Sequence, residues 1–135
     1  MDTHYTAVAT ANGRDGKAVT SDGRLDLALA IPREMGGSGE GTNPEQLFAA
    51  GYAACFASAL GAVARATRQD VRDVSVTAEV GIGGDTESGF GLAVVLRIEL
   101  PDDLENGKDL VERAHQVCPY SNATRGNIPV ELVIE

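Results

Sequence analysis

Cysteine is scarce. The 135-residue chain holds two, Cys55 and Cys118, beside two histidines, His4 and His115. Two cysteines cannot build a disulfide scaffold. The four residues match no tetrahedral zinc spacing, since Cys55 stands alone and His115 lies only three residues before Cys118. Basic side chains are also short, 11 against 20 acidic, for a formal charge of -9. Phosphate backbones repel such a surface, which argues against nucleic acid as a ligand, and an anionic membrane face is disfavoured for the same reason. Met1 to Thr10 has no basic cluster and no apolar core, unlike a secretory signal. The expectation is a cytoplasmic protein whose thiols stay reduced. Repeats and low-complexity tracts are missing. Hydrophobic residues make up 43% and charged residues 23%, the balance of a folded chain. A chain of this length buries roughly two-thirds of its unfolded surface and needs no metal or disulfide staple. One domain over residues 1–135 is expected.

The first third alternates. Tyr5 to Ala11 and Ala18 to Thr20 read as strands around the turn Asn12-Gly13-Arg14-Asp15-Gly16. After Ser21-Asp22-Gly23, the residues Leu25, Leu27, Leu29 and Ile31 share one face of a third strand, and tight turns predict an antiparallel meander. Met35 to Gly41 is glycine-rich. It lacks the Gly-Lys-Ser/Thr of a phosphate loop, so it reads as a flexible connector. Asn43-Pro44-Glu45-Gln46 is a helix start: an N-cap, a proline for the first turn, and a glutamine for a capping box. From Leu47 to Ala64, eighteen positions carry no charge. Alanine, glycine and serine dominate and drive membrane insertion poorly, so the segment reads as a buried central helix. Strands are then expected at Val74–Val80 and Leu92–Leu100, joined by a loop from Gly81 to Gly89. A second helix is expected from Asp102 or later, stopped by Pro119, and a closing edge strand from Ile128 to Ile134. This order is α+β. A helix so apolar needs cover on all sides, and one small sheet cannot supply it. An obligate dimer follows.

The chemistry rests on few groups. Cys55 sits mid-helix, and its neighbours at three and four residues (Gly51, Tyr52, Ser58, Ala59) carry no positive charge. Apolar burial raises a thiol pKa, so Cys55 is a small inert hydrophobe unless a cation reaches it from another segment. Glu45 suits the helix dipole whatever else it does. Arg14 reads as a solvated turn side chain, and Tyr120, Asn122 and Arg125 as helix-end caps. His115 and Cys118 lack the third orienting group and the nucleophile elbow of a hydrolase.

Two longer motifs add to these readings. Asn43 to Phe56 (NPEQLFAAGYAACF) and Val117 to Asn127 (VCPYSNATRGN) closely resemble the cysteine segments of the organic hydroperoxide resistance proteins, the Ohr branch of the OsmC/Ohr superfamily. Tyr5-Thr6-Ala7, Gly13-Arg14-Asp15-Gly16 and Ser21-Asp22-Gly23 look like the same branch. The resemblance implies an OsmC-like intertwined homodimer, with central buried helices wrapped by antiparallel sheets. It implies a thiol-dependent peroxidase without metal, haem or flavin, acting on organic (alkyl, fatty-acid) hydroperoxides. Cys55 matches the peroxidatic cysteine and Cys118 the resolving one. Arg14 matches the arginine that holds the thiolate, and Glu45 the acid that orients it. The implied reductant is dihydrolipoamide or a lipoylated protein. An apolar pocket is expected near Phe48 and Phe56. The OsmC branch of the superfamily and a non-enzymatic redox switch stand as alternatives.

One geometric expectation is independent of resemblance. Glu45 and Cys55 are ten residues apart on one helix. That is about 15 Å along the axis, with faces about 80° apart. Arg14 and Glu45 are therefore expected to serve Cys55 of the other subunit.

Overall fold

The structure, a computed structural model, describes residues 1–69, 71 and 73–135. Two compact units divide the chain, Met1–Leu47 and Phe48–Glu135. The first holds an antiparallel meander of β1 (Ala9–Ala11), β2 (Lys17–Thr20) and β3 (Asp26–Ala28). The first and third strands are shorter than expected, and the second is one residue longer. Residues 1–13 are exposed, and Tyr5 to Ala7 find no ladder partner although Val8 still accepts from the Ser21 N–H. Alternation there marks no buried face. Beyond β3 the chain leaves the meander and forms a parallel bridge, Leu29 to Thr42, in which Ala30 N–H donates to the Thr42 carbonyl at 2.9 Å.

The glycine-rich stretch closes that bridge and is tied down rather than loose. A 3-10 turn spans Arg33–Met35, Gly36 follows at φ 90°, and Gly37 and Gly39 donate to the carbonyls of Pro32 and Ile31 at 3.0 Å. Gly37 lies so close to the Ile31 backbone that a Cβ would strike the carbonyl oxygen.

Helix α1 runs unbroken over Pro44–Ala66. Asn43 is 8% exposed, and its Oδ1 accepts the Gln46 N–H at 2.8 Å, half of the expected capping box. Among the described residues α1 is the one helix long and apolar enough to cross a membrane. Its face of Tyr52, Phe56, Ala59, Leu60, Val63 and Ala64 is instead buried within the protein. The opposite ridge, Ala50, Ala54, Ser58 and Ala62, is exposed, so the all-round burial expected of this helix is not completed by its own chain.

In the second unit β4 (Ser75–Asp85), β5 (Gly89–Glu99) and β6 (Val130–Ile134) form a sheet in that order. The loop expected at Gly81 to Gly89 shrinks to three residues, because the ladder continues to Asp85 opposite Gly89. Backbone pairing needs no side chains, and the Asp85 carboxylate folds the turn by accepting the N–H groups of Glu87 and Ser88. β6 is an edge strand, as Pro129 foretells, but it runs parallel to β5 while the other strand ladders among the described residues are antiparallel. Val94, Leu96 and Ile98 of β5 share one core with α1 and with Leu110, Val111 and Ala114 of α2 (Gly107–Val117). α2 starts late, after Asn106 in a left-handed conformation, since Gly107 weakens the preceding turn. Pro119 stops α2 and also opens a new helix, α3 (Pro119–Thr124), with Cys118 as the extended hinge at φ -63°, ψ 122°. The tail expected on the second helix is thus a separate element.

The Asn43 cap carries a clear expectation. Asn43→Ala is expected to lower unfolding free energy by about 1 kcal/mol, and Asn43→Asp by much less, because only the alanine removes the acceptor. Denaturant titration at constant protein concentration checks the order of the two variants.

Candidate functional site

Two pairs of the expected residues meet, one in each unit. In the first unit, Arg14 projects from the turn between β1 and β2. That turn is pinned at both ends: Asn12 Oδ1 accepts the Lys17 N–H at 3.0 Å, and Asp15 Oδ1 accepts the Ile31 N–H at 3.2 Å. The guanidinium then engages Glu45 in the first turn of α1 through two parallel bonds, Nη1 to Oε2 at 2.9 Å and Nη2 to Oε1 at 2.7 Å. This fork geometry fixes the plane of the cation as well as its position. The Arg14 bonds hold the Glu45 carboxyl below its usual range, against the opposing effect of partial burial. Glu45 is thus an anion paired face to face with one arginine.

In the second unit, Cys55 on α1 and Cys118 at the α2–α3 hinge face each other. Their sulfurs are 3.6 Å apart across 63 residues of sequence. Both are free thiols, Cys55 half-buried and Cys118 buried. Burial pushes the Cys55 thiol up, the Tyr120 backbone N–H opposes this by donating to the sulfur, and Cys118 adds to the rise. No cation acts on the Cys55 sulfur among the described residues. Arg14, the cation expected from the resemblance, is paired with Glu45 in the first unit.

The surroundings of the cysteines contain groups that sequence reasoning passed over. Tyr52, one turn before Cys55 on α1, is fully buried, and its hydroxyl lies 2.8 Å from Ser121 Oγ and 3.2 Å from Thr124 Oγ1. His115 Nδ1 approaches the same Ser121 Oγ at 2.7 Å. The available signal was a lone phenol in an uncharged helix three residues from one cysteine, with a serine three residues beyond the other. Phe48, Tyr52 and Tyr120 form an aromatic cluster with ring centroids 5.7 to 6.2 Å apart. Gly51 admits it, since a Cβ there would sit 2.7 Å from the Tyr120 hydroxyl. Phe56 is fully buried core, so of the two phenylalanines only Phe48 is left partly accessible to a ligand. Arg125 acts as the expected cap, donating to Asn122 Oδ1 at 2.7 Å and to the His115 carbonyl near the end of α2. Among the described residues no cluster of three or more His, Cys, Asp or Glu is arranged to hold a metal.

This is an α+β protein with two free thiols in contact and a preorganised arginine–glutamate pair. Residues 37–133 match the family model described as OsmC-like protein. The chain is 57% identical to the organic hydroperoxide resistance protein of Xanthomonas axonopodis pv. citri over 134 residues, covering 96% of this chain and 94% of that one. It is 42% identical to the organic hydroperoxide resistance protein OhrB of Bacillus subtilis, with 97% and 98% covered. Among solved structures, an organic hydroperoxide resistance protein OsmC from Legionella pneumophila superposes with a TM-score of 0.93 at 50% identity, covering 99% of both chains. One from Vibrio cholerae, described as having captopril bound in one of its active sites, superposes with a TM-score of 0.94 at 51% identity, covering 99% of this chain and 94% of that one. The chain belongs to the OsmC-like family, in its organic hydroperoxide resistance branch.

The environment of His115 has a pH consequence. Burial, helped by the nearby Arg125 charge, lowers its pKa from the ordinary 6.5. As pH falls through that ordinary value, the unfolded chain takes up a proton that the folded chain resists, so stability drops. Between pH 7 and pH 5 the wild type is expected to lose more unfolding free energy than His115→Asn, whatever their difference at pH 7. Parallel slopes for the two proteins would remove His115 from this role.

Proposed function

We propose that the protein is a cysteine-based, thiol-dependent peroxidase that reduces organic hydroperoxides to alcohols. The observation that carries this reading is the 3.6 Å contact between two free sulfurs 63 residues apart. The names of the relatives agree with it. The Cys55 thiolate attacks the outer peroxide oxygen and the O–O bond breaks. The alkoxide takes a proton and departs as the alcohol, leaving Cys55 as sulfenic acid. Cys118 then attacks that sulfur, water leaves, and a disulfide forms. Its bond length near 2.05 Å asks the sulfurs to close by about 1.5 Å. A dithiol such as dihydrolipoamide, free or on a lipoylated protein, returns both thiols and leaves as a cyclic disulfide.

The reading requires a cation at Cys55, whose own surroundings raise its pKa. We assign this to Arg14 of the partner subunit, oriented by Glu45 of the partner subunit. One charge at about 4 Å contributes up to roughly 4 kcal/mol at an effective dielectric of 20, about three pKa units. That outweighs moderate desolvation. A homodimer is supported by the exposed small-residue ridge of α1 and by large apolar side chains left open, including Tyr5, Val8 and Phe90. Such a protein works in the cytoplasm, where thiols are kept reduced. Alkyl and fatty-acid hydroperoxides suit apolar surroundings such as Phe48.

Turnover of tert-butyl hydroperoxide with dithiothreitol or dihydrolipoamide tests the reading. Cys55→Ser and Arg14→Ala are expected to lose nearly all activity. Cys118→Ser is expected to accept one oxidation and fail to recycle through the disulfide. Consumption that stops at one peroxide per chain in the wild type would replace the enzyme with a redox switch. Organic hydroperoxides are expected to react faster than hydrogen peroxide, and equal rate constants would count against the assignment. Mixing Cys55→Ser with Arg14→Ala subunits separates the two geometries. Sites built across subunits give heterodimers with one working centre, about a quarter of wild-type activity in an equal mixture. Sites within one chain give none.

A further inference from the structure

We propose that the buried hydroxyl network of Tyr52, Ser121 and Thr124, anchored by His115, is a positioning device for the resolving step. It holds α3, and with it Cys118, against Cys55 before any sulfur–sulfur bond exists. The inference rests on the peroxidase reading above.

Helix α3 has six residues, too few to stand by its own hydrogen bonds. It must be held by what it touches. Ser121, three residues after Cys118, is the hub, with the Tyr52 hydroxyl at 2.8 Å and His115 Nδ1 at 2.7 Å. Thr124 Oγ1 donates to the Ser121 carbonyl at 3.1 Å and lies 3.2 Å from the Tyr52 hydroxyl. Tyr52, Ser121 and Thr124 are at most 1% exposed, and every buried side-chain polar atom among the described residues has a partner. A hydroxyl stripped of its partner there keeps its desolvation penalty, so the network favours one docked position. Tyr52 is three residues before Cys55 and Ser121 three after Cys118, so the oxygen contact joins the same two segments as the sulfur contact, one helical turn along. The Tyr120 N–H that reaches Cys55 is carried on α3 as well.

These residues touch no reacting atom; they act through Cys118. The first oxidation uses the Cys55 sulfur, its cation and, to a smaller extent, the Tyr120 N–H. The second needs the Cys118 sulfur to reach the sulfenic acid, with the Cys55 S–O bond breaking, the S–S bond forming and water leaving. Loosening α3 lowers the effective concentration of Cys118 at that sulfur. A second peroxide then gains time to carry the sulfenic acid to sulfinic acid.

The experiment measures both steps in the whole protein. Reduced wild type, Tyr52→Phe and Ser121→Ala are mixed with tert-butyl hydroperoxide. Sulfenic acid formation and disulfide closure are followed separately, and sulfinic acid is counted by mass spectrometry. Removing the Tyr52 hydroxyl, and with it the contacts to Ser121 and Thr124, is expected to slow closure at least about fivefold, and the hub variant Ser121→Ala more. The first oxidation is expected to stay within about twofold, and sulfinic acid to accumulate at peroxide levels the wild type tolerates. In a Cys118→Ser background, Tyr52→Phe is expected to keep the first oxidation within the same twofold. Equal slowing of both steps would make the network general scaffolding and overturn the proposal. So would wild-type closure rates in both variants. Failure of the wild type to form the Cys55–Cys118 disulfide would instead remove the peroxidase reading itself.

Discussion

A sulfur surrounded by apolar side chains resists ionisation, and the rest of this molecule answers to that constraint. Cys55 lies on a helix with no charged residue for a turn on either side, and burial raises its pKa. A nucleophile placed there gains contact with greasy substrates and loses reactivity at neutral pH. One backbone N–H from α3 offsets only part of the cost. On the proposed reading a full positive charge is required, and Arg14 is held so that it cannot wander. Its turn is pinned by two side-chain to backbone bonds, and its guanidinium is clamped in plane by Glu45. An arginine free in solvent would spread its charge over many rotamers. Held in a fork, it delivers that charge in one direction.

The second constraint is distance. Cys55 and Cys118 come from separate helices, and a thiol pair is useful only if contact survives until one sulfur is oxidised. The chain solves this with a proline. Pro119 ends α2, leaves Cys118 extended, and supplies a ready-made first residue for α3. The hinge thereby turns the Cys118 side chain inward while α3 carries Ser121 and Thr124 to Tyr52. The fold devotes its buried hydroxyl groups to this corner, where one helix of six residues would otherwise be free to fray.

Much of this was legible before any coordinates. Asn43-Pro44 announced α1, and the capping bond is present; the two cysteine segments announced the family. What escaped has identifiable causes. Tyr5 to Ala7 alternate as a strand does, yet nothing in the chain covers them, because alternation reports a pattern and not a partner. Gly81 to Gly84 looked like a loop since glycine is poor strand material, but a hairpin ladder is held by backbone groups and needed only Asp85 to fold its turn. The parallel pairing of β6 could not be read locally, because direction depends on where α2 and α3 deliver the chain. Tyr52 and Ser121 were invisible as a pair for the same reason: a hydrogen bond across 69 residues leaves no trace in spacing.

The spacing of Glu45 and Cys55 bears on the proposed use of the exposed ridge of α1 as a dimer seam. Ten residues along one helix put the end of the arginine clamp about 15 Å from the sulfur, several times the reach of an ion pair. Bending an alanine-rich helix without a proline inside it would not close that gap. On the proposed reading a second copy related by a twofold axis closes it, with the start of one helix laid beside the middle of the other. Ala50, Ala54, Ser58 and Ala62 recur every four residues, the spacing of a packing ridge, and their small side chains suit close approach. On the proposed reading the dimer is therefore part of the chemistry. A lone subunit would carry a protonated Cys55 and an arginine pair with no sulfur to hold, two halves of a site that only association completes.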